Sequence, residues 1–171
     1  EDNTKDLNFP WAITWLPNGD LLVTERLGKI QLIRKGIVIS VIQGVPEVMV
    51  SSPFDGLLDI KLDPDFETQP YIYLSYTKGT TTERVGVVYR AKIKDNKLVE
   101  GKEIFNTSPP APTGGPNITR INFLSDKSLV AAVGSSGQHA YGMVQRLDGD
   151  IGKIIRIYRD GTVPKDNALS V

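Results

Sequence analysis

The feature that most constrains the fold is a strand–turn–strand unit that recurs three times along the chain. Each unit has a short apolar run, a turn rich in Pro, Asp, Asn or Ser, and a second apolar run. A leucine precedes each turn, at Leu16, Leu62 and Leu124, so the units are spaced 46 and then 62 residues apart. Short β-rich runs joined by tight turns form antiparallel sheets, and a repeat of this length is typical of propeller blades. We therefore predict an all-β chain, a β-propeller with four-stranded antiparallel blades.

About three blades account for residues 1–171 as a single partial domain, with approximate bounds at 9–45, 54–108 and 116–171. The third unit shows three strands rather than four. A β-sandwich is the alternative, but a sandwich does not usually reuse one strand–turn–strand signature three times. Three blades cannot close a ring and leave two open flanks. The chain is therefore expected to be a fragment or one of two chains that complete a ring.

Composition excludes several functional classes. Twenty Lys and Arg balance 20 Asp and Glu, so no basic stripe for a nucleic acid is expected. No apolar run approaches the roughly 20 residues of a membrane helix. The absence of cysteine excludes disulfides, thiol catalysis and cysteine-based metal sites.

Four blocks, in order, carry a resemblance to a known family. They are residues 9–26 (FPWAITWLPNGDLLVTER), 56–66 with 71–76 (GLLDIKLDPDF and YIYLSY), 152–157 (GKIIRI) and 160–167 (DGTVPKDN). The series resembles the first half of the glucose/sorbosone dehydrogenase family of soluble PQQ-dependent aldose sugar dehydrogenases. The resemblance implies half of a six-bladed propeller, oxidation of an aldose at its anomeric carbon, PQQ as hydride acceptor and a His base. It also implies a secreted or periplasmic protein.

The family's site positions are altered in this chain. Phe54 stands where the resemblance places a Gln, two residues before Gly-Leu-Leu. The base His falls on Pro116, or on Asn117 with a one-residue slip, and the Asp that orients it falls on Ser135. None of these side chains is a useful general base. The sequence therefore predicts that the glycines and apolar residues of the fold remain while the catalytic side chains are lost.

A few side chains remain as candidates. His139 is the only histidine, and it is a candidate replacement base if its loop lies over the channel; an exposed loop histidine is the alternative. Asn117, Ser135 and Gln138 are candidate cofactor-binding residues. We assign no metal, because residues 63–65 (Asp-Pro-Asp) are better interpreted as a β-turn than as half of a calcium loop.

Two functional classes remain open. One is a diverged PQQ-dependent sugar dehydrogenase, or a fragment of one. The other is a non-catalytic propeller module that binds a carbohydrate or protein partner, with two copies assembling as a half-ring homodimer. In either case we expect the chain alone to bind PQQ weakly. Trp11 and Trp15 are four residues apart, share one face of a strand, and are expected to pack between blades.

Overall fold

The structure is a computed structural model that describes residues 7–111, 117–135 and 142–167. These three ranges contain eleven β-strands and no helix. The strands are β1 (Pro10–Trp15), β2 (Leu21–Glu25), β3 (Lys29–Arg34), β4 (Ile37–Val41), β5 (Leu57–Leu62), β6 (Tyr71–Gly79), β7 (Arg84–Lys94), β8 (Lys97–Asn106), β9 (Ile118–Phe123), β10 (Leu129–Val133) and β11 (Ile154–Ile157). No helix that could span a membrane occurs in the described ranges.

The strands form three antiparallel sheets whose order follows the chain. The first sheet is β1–β2–β3–β4, the second is β5–β6–β7–β8, and the third has three strands, β9–β10–β11. Within each sheet, every strand pairs with the next along the sequence. Most of the connections are hairpins or short loops, and the long one, between β10 and β11, spans residues 134–153. Each sheet corresponds to one predicted blade.

Tight turns set the register of these hairpins. Lys35 and Gly36 both have positive φ, 49° and 76°, as a two-residue type I′ turn requires. Asp95 and Asn96 do the same at 50° and 57°. The predicted β-turn at 63–65 is present, because the amide of Phe66 donates to the carbonyl of Asp63 at 3.0 Å. Local turn chemistry therefore determines where the strands reverse.

The three sheets stack face to face through two apolar cores. Their first strands lie side by side, β1 next to β5 and β5 next to β9. One core fills the space between the first and second sheets, and Leu22, Ile30, Ile60 and Leu74 are fully buried there. A second core lies between the second and third sheets. It consists of Tyr73, Val88, Ile104, Ile118, Ile121, Leu129, Ala131, Val133 and Ile157.

The outer face of the first sheet remains apolar and uncovered. Ile13 is 57% exposed, Trp15 is 63% exposed and Val41 is 37% exposed. The side chains that alternate with them along these strands face the second sheet. The expectation that Trp15 packs between blades is therefore wrong for this chain, because no described sheet lies on that face.

Candidate functional site

The sequence candidates that the structure describes, Phe54, Asn117 and Ser135, lie near the starts of β5 and β9 and the end of β10. Asp55 and Gly56 precede β5, and Asn117 directly precedes β9. The last residues of β10 lie beside the start of β9, because Val133 pairs with Ile118. We call this side of the stacked sheets the entry end. The opposite side, which begins with Asp63 after β5, is called the exit end.

A buried carboxylate, Asp55, organises the entry end. Its side chain is fully buried, and its Oδ2 accepts a 2.8 Å hydrogen bond from Nη1 of Arg84, whose side chain is 1% exposed. The hydroxyl of Ser51 donates to the same oxygen at 2.9 Å. Nδ2 of Asn117 donates to the other oxygen at 3.3 Å. A buried ion pair is stable only when its partners are satisfied in this way, because both charges have left water.

Asn117 is therefore part of the hydrogen-bond network around Asp55. It is 5% exposed, and its Oδ1 accepts a 3.0 Å hydrogen bond from the hydroxyl of Thr77. Its backbone carbonyl accepts from the amide of Gly134 at 2.8 Å. Both polar atoms of the Asn117 side chain therefore already have partners inside the protein. A cofactor-binding role for Asn117 stays a prediction.

Of the other candidates, the structure describes only Ser135 and Phe54. Ser135 is exposed and follows β10 after Gly134, at the entry end, and its cofactor-binding role stays a prediction. Pro116, Gln138 and His139 lie outside the described residues. The described part of the chain contains no group of three or more His, Cys, Asp or Glu side chains that could hold a metal ion.

Arg26 and two phenylalanines complete the entry end. Nη1 of Arg26 donates to the carbonyl of Ser52 at 2.6 Å, and its guanidinium lies 5.2 Å from the ring centre of Phe9. Phe9 has a φ of 54°, unusual for an aromatic residue. Phe9 and Phe54 are each 57% exposed. The entry end therefore exposes two aromatic rings to solvent. The buried polar groups near them hydrogen-bond to one another.

Sequence analysis did not identify the Asp55–Arg84 pair or the role of Arg26. The two paired residues are 29 positions apart and belong to different segments. No spacing rule links an aspartate before one strand to an arginine that begins another. The sequence signals only a turn at this point, through the Asp55-Gly56 pair that precedes β5.

Comparison with known proteins identifies relatives over almost all of the chain. The family described as Glucose / Sorbosone dehydrogenase matches residues 7–170. The aldose sugar dehydrogenase YliI of Escherichia coli (strain K12) is 32% identical over 166 residues, which cover 94% of this chain and 44% of that protein.

Solved structures agree with the fold. A glucose dehydrogenase crystal structure superposes with a TM-score of 0.88 at 30% identity, covering 96% of this chain and 48% of that one. The PQQ-bound form of an aldose sugar dehydrogenase from Streptomyces coelicolor superposes with a TM-score of 0.78 at 30% identity, covering 95% and 48%. These matches confirm the predicted propeller fold, and the chain spans about half the length of the proteins it matches.

The chemical groups of PQQ can be compared with the residues at the entry end. PQQ is a planar quinone that carries three carboxylates, so its site needs several cations or free donors. Among the described entry-end residues, Arg84 is already neutralised by Asp55, and the amide of Asn117 is engaged. Of the residues around Asp55, Arg26 is one cation against three carboxylates, and Phe54 offers no polar atom. The residues around Asp55 therefore do not fit PQQ by themselves.

Proposed function

Because the chain belongs to the glucose/sorbosone dehydrogenase family, we propose that it is a diverged sugar dehydrogenase-like half-propeller that does not oxidise aldoses by itself. The main support for this proposal is the position of Asn117. The resemblance places the catalytic base at Pro116 or Asn117, and Asn117 is held between Thr77 and Asp55 as a structural amide. A general base must be unprotonated and within hydrogen-bond reach of the substrate hydroxyl.

The neighbouring carboxylate does not replace the missing base. Asp55 is fully buried and accepts hydrogen bonds from Arg84, Ser51 and Asn117. A sugar hydroxyl would have to displace one of these donors to reach it, which would leave a buried charge unpaired. The hydrogen-bond network around Asp55 therefore favours a structural role for the entry end. Redox activity would require catalytic groups from another chain or segment.

The experiment is a titration of the purified chain with PQQ, followed by dye reduction with D-glucose. We expect no saturable spectral change at micromolar PQQ and no sugar-dependent dye reduction. A parallel titration of a full-length family relative checks that the assay detects binding. Micromolar PQQ binding together with glucose-dependent turnover by this chain would overturn the proposal.

A non-catalytic carbohydrate-binding role is the second candidate. The observation that favours it is the pair of exposed rings, Phe9 and Phe54, at the entry end. Such rings bury apolar area when the C–H face of a sugar packs on them. If this role holds, Phe54→Ala weakens glucose binding to the chain while its thermal midpoint stays unchanged.

The uncovered faces support an assembly proposal. Ile13, Trp15 and Val41 expose an apolar face that a further blade would cover. We propose that two copies of this chain pair as a half-ring homodimer, each supplying three blades. Light scattering at micromolar concentration tests it, and a monomer with a sharp thermal transition would contradict it. A secreted or periplasmic location stays a proposal based on the family resemblance.

A further inference from the structure

The turn between β1 and β2 contains the one Asn-Gly pair of the sequence, Asn18-Gly19. It lies at the exit end, because β2 finishes beside the start of β5, where the amide of Leu57 donates to the carbonyl of Arg26 at 2.9 Å. Asn18 is exposed, and Gly19 has a φ of 84°. Glycine has no side chain to hinder attack by its backbone nitrogen on the preceding asparagine. The turn is therefore a candidate site of covalent modification, away from the entry end.

The modification in question is deamidation of Asn18. The backbone nitrogen of Gly19 forms a bond to Cγ of Asn18 and loses its proton, and the side-chain nitrogen of Asn18 leaves as ammonia. The product is a cyclic imide, the succinimide. Water then adds to one of its two carbonyl groups and opens the ring to aspartate or isoaspartate. The net change exchanges ammonia for water, and it involves no oxidant or reductant.

Both reacting groups are already hydrogen-bonded in the folded turn. The amide of Gly19 donates to the carbonyl of Leu16 at 2.9 Å. The Asn18 side chain is held on Asp20, because its Oδ1 accepts from the Asp20 amide at 3.0 Å and its Nδ2 donates to Oδ2 of Asp20 at 2.9 Å. Rotation of the Asn18 amide towards the Gly19 nitrogen would break these contacts. The reaction therefore requires the turn to open locally first.

The carboxylate that holds Asn18 is itself fixed by β3. Nε of Arg34 donates to Oδ1 of Asp20 at 2.8 Å, and Nη2 of Arg34 donates to Oδ2 at 2.7 Å. Asp20 is 4% exposed, so its position does not depend on solvent contacts. A two-point contact from a guanidinium fixes the orientation of a carboxylate. We propose that Asn18 is a deamidation site and that Asp20 is the positioning residue that suppresses the reaction in the folded chain.

The product of the reaction does not fit the same turn. An aspartate at position 18 would place a carboxylate oxygen against Oδ2 of Asp20, where the Asn18 amide now donates. Like charges at that separation repel. Isoaspartate adds a methylene group to the main chain and disturbs the pairing of Trp15 with Leu21 next to the turn. Deamidation therefore weakens the β1–β2 hairpin, and it accumulates in chains whose turn has opened.

Peptide mapping by mass spectrometry, which separates asparagine, aspartate and isoaspartate at position 18, measures the reaction. The whole chain is incubated at mildly alkaline pH with and without urea. We expect the folded chain to deamidate at least about tenfold more slowly than the unfolded chain. Asp20→Ala should accelerate the reaction in the folded chain by about tenfold, because the acceptor of Asn18 Nδ2 is removed. Equal rates with and without urea would overturn the proposal.

Two further variants separate the Asp20 contact from a general loss of stability. Asp126→Ala is the matched control, because it removes a carboxylate that pairs with Arg156 in the third sheet. It should leave the rate at Asn18 unchanged. Asp20→Asn retains an acceptor oxygen for Asn18 and should keep the reaction slow. An acceleration of equal size in Asp126→Ala, or a wild-type rate in a folded Asp20→Ala chain, would overturn the role of Asp20.

Thermal midpoints identify variants that do not fold. If Asp20→Ala unfolds, the wild-type comparison with and without urea and the rate of Asp20→Asn decide. Asn18→Asp tests the consequence, since it installs the product carboxylate beside Asp20. Asn18→Ala removes the same hydrogen bonds without adding charge. We expect Asn18→Asp to melt at a lower temperature than Asn18→Ala, and the opposite order would contradict the repulsion from Asp20.

Discussion

The buried pair between Asp55 and Arg84 gives the sharpest test of the entry-end frame. Asp55→Ala would leave the Arg84 guanidinium buried with its side chain 1% exposed and its charge uncompensated. The remaining bond shown for that guanidinium runs from Nε to the carbonyl of Thr80 at 3.3 Å. The change would also remove the acceptor of Asn117 Nδ2. The second sheet and the start of β9 would therefore lose their shared anchor.

The expected loss follows from this geometry. Breaking a buried ion pair by removing one partner costs about 3–5 kcal/mol. A domain of this size shifts its melting temperature by roughly 2–4 °C per kcal/mol, so the midpoint should fall by roughly 6–20 °C. Since whole domains are stable by about 5–15 kcal/mol, the variant should be marginally folded.

Urea unfolding, followed by the fluorescence of the two tryptophans, measures this loss. Lys78→Ala is the control, because it removes an ion pair with Glu103 whose side chains are 51% and 30% exposed. That control should change the unfolding free energy by less than about 1 kcal/mol. Asp55→Asn retains the shape and one acceptor oxygen, but it removes the charge and turns the other oxygen into an NH2 donor, so it should fold and show a smaller loss than Asp55→Ala.

A double variant tests the reasoning further. If the two side chains act as a pair, Asp55→Ala combined with Arg84→Ala should lose less than the sum of the single variants. A loss below about 1 kcal/mol for Asp55→Ala, or strict additivity with Arg84→Ala, would refute a buried and coupled ion pair.

Three further predictions follow from single groups. Gly56→Ala should lower the free energy of unfolding, measured with urea, by more than about 1 kcal/mol, because φ is 120° and an added Cβ would lie 2.0 Å from the carbonyl oxygen of Arg26. Wild-type stability would contradict this. Hydrogen bonds from Ser128 lower the pKa of Asp126 to about 2. Because this pKa is depressed below the unfolded value of about 3.9, the stabilisation is present above pH ~4 and is lost as the pH falls towards 2. The melting-temperature difference between wild type and Asp126→Asn should narrow as the pH falls from about 4 towards 2. A difference that stays constant would contradict the lowered pKa of Asp126. If the chain shows dehydrogenase turnover, His139→Ala should abolish it, because the sequence contains no other imidazole; full turnover would indicate a base from elsewhere.

The strands that the sequence predicted well are those with local signals. β9 and β10 form the predicted strand–turn–strand unit around Leu124, because apolar alternation and the turn between the strands are encoded in neighbouring residues. Of the block 152–157 (GKIIRI), only Ile154–Ile157 is a strand in the structure. Gly152 has a φ of 71° and forms a turn, which the apolar pattern alone does not reveal.

The site was less predictable because its contacts are distant in sequence. The resemblance assigns site positions to Phe54, Asn117 and Ser135, and all three lie at the entry end, while their roles stay predictions. The partners of Asn117, however, are 40 and 62 positions away, at Thr77 and Asp55. Such pairings depend on how the sheets stack, so no local pattern could distinguish a ligand-binding amide from a structural one.

The two open flanks differ in a way that bears on assembly. In a half-ring homodimer, each junction would place the outer face of one copy's first sheet against the outer face of the other copy's third sheet. The first face is apolar, with Ile13 and Trp15 exposed, whereas the third carries exposed Arg120 and Asn122 beside Ile154. Burying a charge against hydrocarbon without a partner costs several kcal/mol, unless the long side chain reaches the rim. In the proposed homodimer, Arg120 is therefore expected to reach the rim of each junction, and Arg120→Leu should strengthen the pairing measured by light scattering.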